Sequence, residues 1–151
     1  MTTQIHRESR AVATLGVPWE KTYGYAQAVR AMGTIFVSGQ LSHDAAGKLV
    51  GAAPVDDAGH VTDTSNMELQ MRTTYSNARA VLEQLGATLE DVVEEVIYVT
   101  DMTAAFAVAG SVRKQAYGCD APRCASTIAE VKRLAFPEQL VEIRFTALAT
   151  K

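Results

Sequence analysis

The chain has 151 residues, 48% of them hydrophobic and 21% charged, with a formal net charge of -3 and a pI near 5.6. This is the balance of an ordinary globular domain, and the length suits one domain, 1–151, that builds a core without metal or disulfide, which sets aside the disordered, fibrous and disulfide-stapled classes. The slight acidity supplies no broad basic field, so nucleic acid is not the expected partner. Neither a signal-peptide core nor a run of about 18 apolar residues is present, so a cytoplasmic protein without membrane contact is expected.

Residues 1–20 read as an N-terminal arm whose first part carries His6, Arg7, Glu8 and Arg10. The first periodic stretch, "YAQAVRAMGTIFVSGQLS", alternates up to Gly33 and resumes with β-branched and aromatic residues, which predicts a hairpin turning at Met32-Gly33. The Gly-, Ala- and Asp-rich segment after it reads as a loop with one edge strand, "AAGK" being a turn signal. From Thr64, Met67, Met71, Tyr75, Ala78, Leu82 and Leu85 recur at helical spacing, with Asp63 or Thr64 as cap and Gly86 as the left-handed stop. "TLED" reads as a one-turn capping box before the strand "VVEEVIYVT", which sets Val93, Ile97 and Val99 on one face and Val92, Val96 and Tyr98 on the other.

A second helix is expected from Thr103 to about Tyr117-Gly118, then the strands "CASTIAEV" and "LVEIRFTALA", the latter with Val141, Ile143, Phe145 and Ala147 inward and Glu142, Arg144 and Thr146 on the other face. The order β, β, α, β, α, β, β predicts an α+β domain, a mixed sheet with two helices packed on one face. Cys119 and Cys124 are too few for a structural zinc site and read as free thiols.

Three stretches together, "GYAQAVRAMGTIFVSGQL", "ARAVLEQLGATLEDVVEEVIYVTDM" and "STIAEVKRL" with "LVEIRFTALA", resemble the Rid (YjgF) family, also described as L-PSP endoribonucleases, over about residues 23 to 149. The resemblance implies a chorismate-mutase-like fold, a homotrimer with ligand clefts between subunits, no cofactor, and in the best-known branch hydrolysis of small enamines and imines such as 2-aminoacrylate to a keto acid and ammonia. By position it implies that Tyr25, Ser38 and Gly39 shape the cleft. The family's other three positions depart: Ala125 stands where an arginine holds the substrate carboxylate, Ala109 or Gly110 where an asparagine is expected, and Arg144 at the last-strand glutamate. The anion clamp then falls to Arg144 or to Arg123, two residues from the expected place and about 6 to 7 Å along a strand. A water-activating group would be missing or come from Glu142, Glu130, Tyr25 or the next subunit.

Weighed residue by residue, Ser38 has no G-x-S-x-G elbow and no paired His and acid, which makes it a wall of the pocket and not a nucleophile. His43 and Asp44 fit a turn, and His6 and His60 are isolated. Cys124 reads as a buried, inert thiol, while Trp19 either lines the cleft mouth or staples the arm. The function expected is imine or enamine deamination of a small carboxylate-bearing metabolite, the alternative is a binding or regulatory protein using the same cleft, and an endoribonuclease fits the charge least.

Overall fold

In the computed structural model, which describes residues 10–149, the expected hairpin is formed by β2 (Ala28–Ala31) and β3 (Thr34–Gln40). Ala31 pairs with Thr34, leaving a two-residue turn in which both residues take positive φ, 51° at Met32 and 76° at Gly33. That turn twists in the sense its strands require.

The latter part of the N-terminal segment is ordered into the domain. Ala11–Ala13 form β1 against β2, and Pro18–Tyr23 form a short helix, α1, with proline in its first turn and Gly24 closing it at φ 74°. Both end signals follow the usual asymmetry of proline at the start and glycine at the finish. His6 lies outside the described residues.

The edge strand expected in the following loop reduces to two isolated bridges, His43 with Leu49 and Val55 with Val61. Each closes a hairpin of the same make. Asp44 Oδ1 accepts the amides of Ala46 and Lys48, and Asp56 Oδ1 those of Ala58 and His60, at 2.9–3.0 Å. Gly47 and Gly59 supply the left-handed residue of each turn, so "DAAGK" and "DDAGH" are one device used twice.

Helix α2 (Met67–Gln84) begins later than expected. Asp63 spends its carboxylate on the Ser65 amide at 2.6 Å instead of capping the helix, and Asn66 takes the cap position without a side-chain capping bond. Gly86 stops it at φ 74°, and the Thr88–Asp91 capping box is formed around the single 3₁₀ turn Leu89–Asp91. Helix α3 (Met102–Tyr117) is capped by Asp101, whose Oδ1 accepts the Ala104 amide at 2.7 Å. A carboxylate here meets both the free amide and the helix dipole.

The strands are ordered β1-β2-β3-β6-β4-β5, where β4 is Val92–Val99, β5 Ala125–Glu130 and β6 Val141–Leu148. Only the β4–β5 pair is parallel, so the sheet is mixed, and α2 and α3 cover one face. The core side chains Ile35, Val37, Ile97, Ile143, Phe145 and Ala147 alternate with outward Phe36, Arg144 and Leu148. In β4 a register shift between Val92 and Glu94 reverses the expected facing: Val92 is 2% exposed and Val93 39%. One extra residue moves every side chain before it to the opposite face.

The same strand sends a carboxylate into the core. Glu95 is 0% exposed and accepts Tyr75 and Tyr117 hydroxyls at 2.8 and 2.7 Å, the Ser126 hydroxyl at 2.8 Å and the Arg113 guanidinium. Four donors from α2, α3 and β5 converge on it, which makes burial of the group tolerable.

Candidate functional site

Strand β3 loses its register with β6 between Val37 and Gln40, so Ser38 and Gly39 form a bulge. Bulges re-aim side chains and open a strand edge. Here a cavity of about 250 Å³ is walled by Tyr25, Ser38 and Gly39, by Trp19 and Phe136, and by Glu142 from β6. The Glu142 side chain lies across Gly39: a methyl group on Gly39 would meet its Cγ at 2.9 Å and its Cδ and Oε1 closer still. Glycine at this position is therefore a matter of space, since any side chain would push the carboxylate off the bulge.

Each wall is held from behind. Glu20 of α1 accepts the amides of Leu15 and Gly16 and the Gln27 side chain, which in turn accepts from Gln40 at 2.8 Å. Gln40, next in the motif, is thus a buried tie between α1 and β3 and does not line this cavity. Ser38 Oγ donates to Ala26 O at 2.8 Å, so its proton is committed and it has only lone pairs to offer a ligand. Trp19 stands edge-on to His43 and to Phe136 at ring separations of 5.2 and 5.6 Å. His43 is buried with Nδ1 on Asp44 O at 2.7 Å, which makes it a support for the Trp19 wall and answers the choice left open for Trp19: it lines the cavity.

Glu142 and Tyr25 bring ionisable groups to the wall of the space. Glu142 receives Gln139 Nε2 at 3.1 Å on Oε2. The Tyr25 phenol is held above its ordinary range, chiefly by burial, with the Glu20 and Glu142 charges acting in the same direction. It stays a neutral donor through the physiological range.

Of the residues singled out in the sequence, Tyr25, Ser38 and Gly39 come together, and Arg123 and Arg144 do not join them. Arg144 lies on the outer face two residues beyond Glu142, 3.9 Å from Glu94, with both side chains half exposed. Arg123 is exposed ahead of β5. The last-strand carboxylate that borders the cavity is Glu142, against which the bulge sets Gly39. The sequence offers Glu142 as one of several acids that could serve the cleft, and its contact with Gly39 comes from a pairing about a hundred residues away in sequence. Cys119 is exposed, and Cys124 is a free thiol with Sγ 3.6 Å from Arg113 Nη2. Among the described residues no His, Cys, Asp and Glu group is arranged to hold a metal, and no helix is long and apolar enough to cross a membrane.

A mixed sheet with two helices on one face and a bulge-lined cavity defines an α+β protein of chorismate-mutase-like fold. Residues 19–149 match the family model described as endoribonuclease L-PSP, and the chain belongs to that family, the YjgF/RutC group. A RutC family protein of Pyrococcus abyssi is 30% identical over 127 residues, 84% of this chain and 86% of that one. Among solved structures, Mycobacterium tuberculosis Rv2704, a YjgF/YER057c/UK114 family member, superposes with a TM-score of 0.71 at 31% identity, covering 93% of this chain and 99% of the other. RidA of an Antarctic Psychrobacter gives 0.67 at 26% identity, covering 82% and 87%.

Proposed function

We propose that the Trp19–Tyr25–Gly39–Glu142 cavity hydrolyses a small imine or enamine carrying a carboxylate, releasing a keto acid and ammonia, in a homotrimer that completes the cleft from a neighbouring subunit. The observation that carries this reading is a carboxylate seated on a glycine bulge in an aromatic-walled cavity, with a neutral phenol on the same wall. In 2-aminoacrylate the enamine first takes a proton at its methylene carbon to give the imine. Water then adds to the imine carbon while Glu142 relays one of its protons to nitrogen, and as the carbon–nitrogen bond breaks the remaining hydroxyl proton passes by way of Glu142 to the departing nitrogen, leaving the keto oxygen and ammonia. A positioned carboxylate contributes about 10²–10⁴-fold to such proton transfers.

The substrate carboxylate needs a cation that a single chain does not bring to this cavity. Arg123, exposed at the head of the edge strand β5, reaches such a cleft from a second copy, whereas Arg144 is drawn toward Glu94. The exposed apolar side chains Phe36 and Leu148 on the helix-free face give that second copy a surface to cover.

The test is keto-acid release from 2-aminoacrylate generated in situ. The expected result is turnover in the wild type, its loss in Arg123→Ala and its retention in Arg144→Ala, with a trimer in sedimentation. A monomer, or no turnover by the wild type, would overturn the reading and leave a metabolite-binding protein.

A further inference from the structure

The segment 132–139 separates two cavities. Ala135 and Phe136 face the one already described, while Lys132, Arg133 and Gln139 line a second, of about 420 Å³. This second cavity opens where the parallel strands β4 and β5 both end, at Thr100-Asp101 and at Lys132-Arg133. The carboxyl ends of parallel strands are where connecting segments diverge and ligands are commonly received.

Its chemistry is two-sided. Lys132 and Arg133 are exposed and form no ion pair among the described residues. Asp101 brings a carboxylate, of which Oδ1 is held by the Ala104 amide. Gln139 is fully buried, and its Oε1 has no hydrogen-bond partner among the described residues. A buried acceptor left unpaired is destabilising, and a donor brought to it recovers that loss. Val61 and Leu134 add an apolar wall.

We infer that this cavity is a second small-molecule site, for an α-amino acid held as its zwitterion: carboxylate on Lys132 and Arg133, ammonium toward Asp101 and Gln139, aliphatic side chain on Val61 and Leu134. A plain anion leaves the acceptors unmet, and a plain amine leaves the cations unmet. Gln139 links the site to the first cavity, because its Nε2 donates to Glu142 Oε2 at 3.1 Å. An ammonium drawn to Oε1 fixes the amide in the orientation that holds Glu142. This last consequence rests on the imine-hydrolase reading, and the binding itself does not.

The experiment is a ¹H–¹⁵N NMR titration of the whole protein with L-leucine, with 4-methyl-2-oxopentanoate and with isoamylamine, the same side chain lacking one or the other charge. Leucine is expected to shift the Thr100, Lys132 and Gln139 amides saturably and the two analogues to bind at least about tenfold more weakly, the loss of one charged hydrogen-bonding group. Lys132→Ala/Arg133→Ala, two exposed positions that the fold tolerates, should weaken leucine by a similar factor, and Tyr25→Phe should leave it unchanged. Shifts centred on Trp19, Tyr25 and Gly39, equal binding of the keto acid, an unaffected double variant, or no saturable shift up to the solubility of leucine would each overturn the proposal.

Discussion

Two carboxylates stand on adjacent strands, and they have opposite surroundings. Glu95 on β4 is buried under both helices, with each oxygen receiving two donors. Glu142 on β6 borders a cavity, takes one bond from Gln139, and spreads its other oxygen over a glycine that leaves it room. A carboxylate whose lone pairs are filled holds elements together, and one with an open side can exchange a proton with a ligand. The contrast explains why the more deeply buried and more heavily bonded group is not the one to which chemistry is assigned.

The contrast can be broken at its structural end first. Glu95→Ala strands the Arg113 guanidinium and leaves two phenols unpaired, so denaturant unfolding should show a loss of about 3–5 kcal/mol. A loss under about 1 kcal/mol would mean the four donors are not a structural hub. Gly39→Ala should cost less stability, about 1–3 kcal/mol from overpacking against Glu142. Turnover in it should fall far more than stability does, since the proposed hydrolysis has the displaced carboxylate moving the proton.

Alkaline pH sharpens the same comparison. Burial, and then the Glu95 charge, push the Tyr75 and Tyr117 phenols well above their ordinary value of 10.0. A phenol raised in the fold contributes in full below pH 10.0, the unfolded value, and its contribution is lost as pH climbs toward the folded one, because the unfolded chain ionises first. Stability measured by urea unfolding should therefore fall above that pH in the wild type and fall less steeply in Tyr117→Phe. The smallest effect is expected for Tyr25→Phe, which removes one neutral hydrogen bond, worth about 1 kcal/mol in the affinity for a substrate analogue by calorimetry.

Much of the fold was legible because its signals are local. The Met32-Gly33 turn, the apolar spacing of α2, the Thr88–Asp91 box and the outward face of β6 all appear where the residues place them. What escaped depends on pairing. The bulge in β4 exchanged Val92 for Val93 in the core, β1 is a three-residue strand with no period to detect, and Glu95 reads as a charge in an apolar strand until Tyr75, Arg113, Tyr117 and Ser126 are brought to it. The site shows the same division. Tyr25, Ser38 and Gly39 were marked by the resemblance of one short motif, while Glu142 became their neighbour only through the β3–β6 register.

The most direct measurement of the central claim is keto-acid release from 2-aminoacrylate by Glu142→Gln, an isosteric change that keeps the partner Gln139 within reach. A fall of about 10²-fold or more in kcat is expected, with unfolding stability and oligomeric state unchanged. Turnover at the wild-type rate in this variant would contradict it.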